Sequence, residues 1–240
     1  FGPADLDLTG GIDLEGAATQ EVGGQLAFTD DITFSSSSLI NRNLHVFPEG
    51  VREYLEGFSH RFSGDDILAY LDQAQSLKVL VVGEAIIDVY SYCEAMGKSS
   101  KEPMLAVKQL SSEQSPGGIL AVGNNVANFC DRVGMLTVLG KENSQEEFIS
   151  GNLNSKIDHT FIYRDDAPTL VKKRFIEEYH FTKLLEVYEM NDNPLSGEAN
   201  RSLCSALEKQ IPDYDAVIVV DFGHGMLSSE AVDILCEKSR

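Results

Sequence analysis

The chain has 240 residues and a formal net charge of −19 at pH 7, with 42% hydrophobic and 24% charged residues. This composition is typical of a folded globular protein and argues against intrinsic disorder. The strong negative charge repels polyanions, which excludes nucleic acids and anionic membranes as expected partners. The length suffices for one large domain or two small ones.

Cysteine and histidine residues form no recognisable metal or disulfide motif. The four cysteines are far apart, without a C-x-x-C pair, and the five histidines show no H-x-x-x-H spacing. We therefore expect reduced thiols in a cytoplasmic protein and no metal site. No apolar run reaches membrane-spanning length. Because the chain begins with Phe1 rather than Met, we expect it to be a piece of a longer protein.

The first 43 residues are rich in small and polar residues and show little apolar periodicity. Residues 25–29 are a strand candidate, and the serines at 35–38 precede a short apolar run, where serine is a favourable helix N-cap. Residues 44–76 repeat apolar side chains every three to four positions, with a break at 63–66. This spacing predicts two helices, which we interpret as a linker.

From Lys78 onward, continuous apolar runs alternate with helical stretches. The apolar runs are 79–83, 136–140 and 216–221, and the helical stretches are 120–132 and 197–210. Continuous apolar runs are typical of strands buried on both faces of a parallel sheet. The alternation predicts a doubly wound, mainly parallel α/β domain over residues 77–240.

Three further segments alternate apolar and charged residues instead. They lie at 104–110, 170–177 and 183–190. Such alternation is typical of a sheet with one face in water. Inserted into an α/β core, these strands predict a small flap over the carboxyl ends of the parallel strands, where open α/β sheets bind ligands. Pairing of the flap between two subunits, giving a homodimer, is left open.

Two features at the start of this domain suggest a sugar site. Asp88 follows the first apolar run, where its carboxylate can accept hydrogen bonds from sugar hydroxyls; a helix or turn cap is the alternative. Gly117 and Gly118 precede a predicted helix that contains Asn125, and glycines let a backbone approach a ligand closely. A plain turn explains the two glycines equally well.

Two later features suggest anion binding. Lys172 and Arg174 alternate along a strand and so project to one face, where they could clamp a phosphate or simply solvate the strand. Asp221, Gly223 and Gly225 follow a buried strand and precede a helix at 228–238. Backbone N–H groups at a helix N-terminus attract anions, so we expect these residues to lie near a phosphate.

Common nucleotide-binding motifs do not explain the sequence. The glycines at 117–123 do not form G-x-G-x-x-G, and no Walker P-loop is present. Asp221-Phe222-Gly223 spells the D-F-G of protein kinases, but no H-R-D catalytic loop accompanies it. We therefore reject a protein kinase.

In order and spacing, four segments resemble the PfkB/ribokinase family. They are Gly83-Glu84-Ala85-Ile86-Ile87-Asp88, Pro116-Gly117-Gly118 with Asn125, Pro168-Thr169-x-x-Lys172-x-Arg174, and Asp221-Phe222-Gly223-His224-Gly225. The resemblance covers residues 78–240 and is nearest to the kinase half of the bifunctional ADP-heptose synthases. It implies a ribokinase-like fold and a sugar phosphate bound by Asp88, Gly117-Gly118, Asn125 and the Lys172 region. It also implies ATP and Mg²⁺ for the intact protein.

Three positions depart from that family. Glu84 stands where the family has aspartate, Ala121 where it has asparagine, and His224 where it has lysine. These departures favour an alternative in which a kinase-fold domain binds a sugar phosphate, or serves as a scaffold, without catalysis. The family's catalytic aspartate lies in a G-A-G-D loop that this chain does not match, so we expect no catalytic residue here, no bound cofactor and an inactive fragment.

Residues 1–43 carry a second resemblance. Gly23-Gly24-x-x-Ala27-Phe28-Thr29-Asp30 and the following serines resemble the end of a cytidylyltransferase-like nucleotidyltransferase domain. That resemblance implies that Ser36 and Ser37 belong to a turn that binds nucleotide phosphates; a serine-rich linker is the alternative. The two resemblances together imply a bifunctional sugar kinase and nucleotidyltransferase that acts on a heptose-type sugar phosphate and a nucleotide.

Overall fold

A computed structural model describes residues 11–25 and 47–239 of the chain. The predictions for Ser36 and Ser37, and nearly all of the strand predicted at 25–29, lie outside these residues. The helices and strands in chain order are α1 (Gly11–Glu21), α2 (Glu49–Arg61), α3 (Gly64–Ala74), β1 (Lys78–Gly83), β2 (Ala85–Lys98), β3 (Leu105–Gly118), α4 (Ile119–Val126), β4 (Arg132–Gly140), α5 (Glu146–Asn152), β5 (Ile157–Arg164), β6 (Leu170–Glu177), β7 (Thr182–Glu189), α6 (Gly197–Gln210), β8 (Ala216–Val220) and α7 (Ser229–Lys238).

The chain divides into two compact units, Phe1–Gly64 and Asp65–Arg240. The two helices predicted within 44–76 are present as α2 and α3. In α2 the rings of Tyr54 and Phe58 lie one helical turn apart, with centroids separated by 6.1 Å. The three-part division at residues 43 and 76 remains a prediction.

The main sheet of the second unit contains four strands in the order β5-β4-β1-β8, and all neighbours are parallel. The three predicted parallel strands are thus present as β1, β4 and β8. The sequence analysis missed β5, because its polar residues interrupt the apolar run that marks the other three strands.

Alternate residues of β1 pack on opposite faces of this sheet. Val79 and Val81 belong to one buried cluster, which includes Ile119 and Leu120 of α4. Leu80 and Val82 belong to the other, which includes residues of α6 and α7. Because β1 is buried on both faces, the doubly wound α/β fold predicted from the sequence is confirmed.

The flap is a second sheet with the order β3-β2-β6-β7. Strand β2 pairs antiparallel with β3 and parallel with β6, and β6 pairs antiparallel with β7. The alternating segments predicted at 170–177 and 183–190 match β6 and β7 closely. The third, at 104–110, is only the first half of a fourteen-residue strand, β3.

Two local predictions differ from the structure. Asp88 follows β1 as expected, but it lies within a second strand, because only Glu84 separates the end of β1 from the start of β2. The helix predicted at 120–132 ends at Val126. The N–H groups of residues 128–130 form turn hydrogen bonds before β4 begins. The apolar side chains of residues 129 and 130 therefore lie beyond the helix.

Strand β8 forms one edge of the main sheet, although its five residues are all apolar. Ile218 and Val219 are 36% and 46% exposed. An apolar parallel strand with an open edge promotes association. We therefore expect the purified 240-residue chain to self-associate or to be marginally stable, and Val219→Lys to reduce the association. Light scattering and thermal unfolding test this; a monomer with a cooperative, high-temperature melt would contradict it.

Candidate functional site

An ion pair connects β2 and β6 on one face of the flap. Nη1 of Arg174 donates a hydrogen bond to Oδ1 of Asp88. The guanidinium also lies 5.4 Å from the ring centroid of Tyr90. Both partners are largely buried, since the Arg174 and Asp88 side chains are 18% and 21% exposed. One carboxylate oxygen of Asp88 is therefore already occupied by a cation.

The ion pair continues onto β7. Nε of Arg174 donates to Oε1 of Glu186 at 3.1 Å, and the Tyr188 hydroxyl donates to Oε2 of Glu186. The hydrogen bond from Tyr188 lowers the pKa of Glu186, assisted by the positive charge of Arg174, and the same bond raises the pKa of Tyr188. The hydrogen bond to Asp88 likewise raises the pKa of Arg174. These three shifts keep Glu186 ionised and keep Tyr188 and Arg174 protonated at neutral pH, as the hydrogen bonds require.

The Gly-Gly segment lies directly against Asp88. A Cβ atom on Gly117 would come within 2.1 Å of Oδ2 of Asp88, so only a glycine leaves room for the carboxylate in this position. Gly118 follows with φ of +54° and precedes the first residue of α4. The structure thus places Asp88 directly beside Gly117, with Gly118 next in the chain; that these residues bind a ligand stays a prediction.

Lys172 lies opposite Asp88 in the pairing of β6 with β2, and opposite Tyr188 in the pairing of β6 with β7. Its Nζ lies 5.3 Å from the ring centroid of Tyr188 and 6.0 Å from that of Phe222. Such distances allow cation–π attraction. Among the described residues, Lys172 has no ion-pair partner. Its ammonium is thus held by rings rather than by carboxylates.

The loop that contains Asp221, Gly223 and Gly225 approaches the flap through Phe222. Two backbone N–H groups of this loop are already hydrogen-bonded, however, because Phe222 and His224 donate to the Glu84 carboxylate at 2.6 and 2.7 Å. Gly223 donates to Oδ1 of Asp221 at 2.8 Å. A phosphate near this loop stays a prediction, but it could use these N–H groups only by displacing carboxylates.

The two asparagines of α4 do not contact the flap network. Nδ2 of Asn125 donates to the carbonyl of Ala121 in its own helix, and Asn125 is exposed. Asn124 instead connects α4 to the α5–β5 connection, donating to the Asn152 carbonyl and accepting from the Asn154 N–H at 2.9 and 2.8 Å. A ligand role for Asn125 remains a prediction without a contact to support it.

Sequence reasoning missed several members of this site. Tyr90, Glu186 and Tyr188 carried a usable signal, because they occupy alternate positions of flap strands and so share a face with Asp88 or Lys172. Glu84 was noted only as a departure from a motif. Nothing in the sequence indicates that its carboxylate contacts a loop 138 residues away.

Asp88 and Arg174 should be energetically coupled. Removing either partner leaves the other charge largely buried and unpaired, so we expect Arg174→Ala to affect the site about as much as Asp88→Ala. In a double-mutant cycle with Asp88→Asn and Arg174→Met, unfolding free energies should show a coupling of about 1–3 kcal/mol. Additive effects would show that the two groups do not stabilise each other.

Neither a metal-binding cluster nor a membrane-spanning helix is found among the described residues. In the described part of the chain, no group of three or more His, Cys, Asp or Glu residues could hold a metal ion. None of the described helices combines the length and apolar character needed to cross a membrane.

Known proteins with similar sequences include the bifunctional proteins named HldE. The bifunctional protein HldE of Campylobacter jejuni is 25% identical over 174 residues, which are 72% of this chain and 36% of that protein. HldE of Histophilus somni is 27% identical over 161 residues, 67% and 33% of the two chains. The chain resembles the PfkB-type kinase part of HldE. It spans about a third of the length of these curated relatives.

Solved structures also match part of the chain. Phosphofructokinase-2 from Escherichia coli is 13% identical and matches with a TM-score of 0.47, over 68% of this chain and 51% of that one. No family model matches the chain. The predicted resemblance to the PfkB/ribokinase family, with a ribokinase-like α/β fold, is confirmed by the HldE relatives together with the doubly wound sheet and flap.

Proposed function

We propose that residues 77–240 form the substrate-binding part of an ATP-dependent carbohydrate kinase, within a bifunctional sugar kinase and nucleotidyltransferase. The substrate is a sugar phosphate of heptose type. The observation that carries this proposal is the position of Lys172, a half-buried cation without an anionic partner among the described residues.

The contrast with neighbouring cations supports an anion site. Among the described residues, the other lysine and arginine side chains that are not exposed are Arg164, Lys173 and Arg174, and each is ion-paired. In a chain of net charge −19, carboxylates are abundant, yet none of those in the described part of the chain pairs with Lys172. Two aromatic rings hold its ammonium on the face of the flap that carries Asp88. A phosphate is an anion that can form a charge-assisted hydrogen bond with such an ammonium.

The groups around Lys172 suit a sugar. Oδ2 of Asp88 lies beside the Gly117 backbone, while its other oxygen is bound by Arg174. A carboxylate oxygen accepts hydrogen bonds from hydroxyl groups, and the rings of Tyr188 and Phe222 provide flat apolar surface. We assign the hydroxyls to Asp88 and the phosphate to Lys172.

ATP and Mg²⁺ are proposed for the intact protein only. The described residues contain no carboxylate cluster that fits a divalent cation, so no catalytic step is derived through one here. We also propose that the 240-residue fragment does not phosphorylate sugars by itself. The alternative of binding without catalysis is favoured by His224, which stands where the family has lysine and whose Nδ1 lies 2.9 Å from Oδ1 of Asp192.

Compartment and assembly are part of the proposal. All four cysteines are free, and three are buried, as expected of a protein in the reducing cytoplasm. Leu105, Val107 and Leu110 of β3 and Leu185 of β7 are exposed apolar residues of the flap. They support a homodimer formed through the flap, as the sequence analysis left open.

A binding panel tests the proposed function. The chain should bind a heptose 7-phosphate more tightly than fructose 6-phosphate, and the unphosphorylated sugars least, as measured by calorimetry. The longer parent protein should transfer phosphate from ATP to the preferred sugar phosphate, and the 240-residue chain should not. Equal affinity for phosphorylated and free sugars would remove the support for an anion site at Lys172.

A further inference from the structure

Glu84 occupies the single position between β1 and β2, and it is 5% exposed. Its backbone is bound on both sides: its N–H donates to the Val220 carbonyl at 3.3 Å, and its carbonyl accepts from the Ile119 N–H at 3.0 Å. Thr137 holds the adjacent backbone by donating to the Gly83 carbonyl and accepting from the Ala85 N–H. The backbone at Glu84 is therefore held in place by the main sheet and by the first residue of α4.

The Glu84 carboxylate fills a concave array of amide groups in the 221–226 loop. Oε2 accepts from Phe222 at 2.6 Å, and Oε1 accepts from His224 at 2.7 Å and from Met226 at 3.4 Å. Backbone N–H groups that converge on one carboxylate form an anion site, and here they come from the alternate residues Phe222, His224 and Met226. In this chain the anion is internal.

The hydrogen bonds from the loop to Glu84 set the position of the Phe222 ring, which belongs to the proposed ligand site. Phe222 is the first loop residue bound by Glu84, and its ring lies 6.0 Å from Nζ of Lys172. The far end of the loop is bound separately, since Leu195 N–H donates to the Gly225 carbonyl at 2.7 Å. Without the carboxylate, several N–H donors would lose their partner, and the near end of the loop would be free to move.

We propose that Glu84 is a positioning residue: its carboxylate acts as the internal anion that fixes the 221–226 loop and thereby holds Phe222 against Lys172. The dependence of ligand affinity on Glu84 rests on the proposed function. A glutamine cannot replace the glutamate, because its amide has one acceptor oxygen where the loop presents N–H donors to both carboxylate oxygens.

Chemical rescue tests the proposal. Glu84→Ala should open the array to a small carboxylate, so we expect faster hydrogen exchange of the 222–226 amides, loss of the Phe222–Lys172 contact in NMR spectra, and recovery of both with added formate. The affinity for inorganic phosphate should fall about tenfold, which is the lower end of the loss seen when a group that orients a metal ligand is removed. Formate should restore part of this affinity. Glu84→Gln should show the same defects without rescue, and exposed Glu94→Ala should show none.

The outcomes separate this inference from the proposed function. Loop exchange and the Phe222–Lys172 contact unchanged in both Glu84 variants would overturn the inference. The inference would also be overturned if the Glu84 variants had a mobile loop but bound phosphate with the affinity of the unmodified chain. Glu84 would then stabilise the loop without affecting the ligand site. If the unmodified chain binds neither phosphate nor sugar phosphates, the proposed function fails. Recovery of the Phe222–Lys172 contact with formate still decides whether Glu84 positions the loop. If Glu84→Ala does not fold, Glu84→Gln, which fills the same volume, provides the comparison.

Discussion

Replacing Lys172 with alanine is expected to weaken sugar-phosphate binding about 10- to 100-fold, which corresponds to loss of a charge-assisted contact of roughly 1.5–3 kcal/mol. The fold should not change, because Lys172 makes no ion pair within the described part of the chain and its removal strands no buried charge. Calorimetric titration at two salt concentrations measures the effect. The affinity of the unmodified chain should fall with salt more steeply than that of the variant, since salt screens the ammonium–phosphate attraction.

The adjacent Lys173 provides a matched control. It has the same side chain on the same strand, but it projects to the other face and pairs with Glu189. Lys173→Ala should leave sugar-phosphate affinity within about twofold, as expected for loss of a partly exposed ion pair. Equal losses in the two variants would indicate a general effect of net charge and would refute the assignment of the phosphate to Lys172.

Among substitutions that add one methyl group to the site, Gly118→Ala is expected to be the most destabilising. The residue has φ of +54° and ψ of −133°, a conformation that side chains with Cβ rarely adopt. An added Cβ would lie 2.4 Å from the Glu84 carbonyl oxygen, which cannot yield easily because it already accepts from Ile119. We expect a loss of about 2–4 kcal/mol in unfolding free energy, or roughly 5–15 °C in Tm, measured by thermal unfolding.

Gly151 in α5 is the control for this substitution. A Cβ there would meet nothing within 4 Å, and its backbone φ is negative, so Gly151→Ala should leave stability unchanged or slightly raised. A Gly118→Ala variant as stable as Gly151→Ala would show that the β3–α4 turn tolerates a side chain. The close contact of Gly118 with Glu84 would then not be required for the fold.

Much of the fold could be predicted because local patterns encode it. The continuous apolar runs of β1, β4 and β8 predict a parallel sheet, and the alternation in β6 and β7 predicts a flap with one wet face. Strand β2 was not predicted, because one residue separates it from β1 and the apolar run continues through the junction. The change of direction at Glu84 depends on contacts with Val220, Phe222 and His224, which are distant in sequence.

The site was predicted less completely for the same reason. Asp88, Gly117, Gly118 and Lys172 could be selected because each belongs to a recognisable short segment. Their electrostatic state could not be predicted, since it depends on pairing across strands. Arg174 lies 86 residues from Asp88 in sequence and neutralises it, whereas Lys172, two residues earlier, stays unpaired within the described region.

An NMR titration of the isotope-labelled chain with a heptose 7-phosphate tests directly whether the flap holds a sugar-phosphate site. We expect saturable shifts that include the Asp88 and Gly117–Gly118 backbone and the Lys172 side chain, with the Lys172 shifts absent when the unphosphorylated heptose is used. Shifts confined to other parts of the sheet, or none at millimolar ligand, would contradict the assignment of a sugar-phosphate site to the flap.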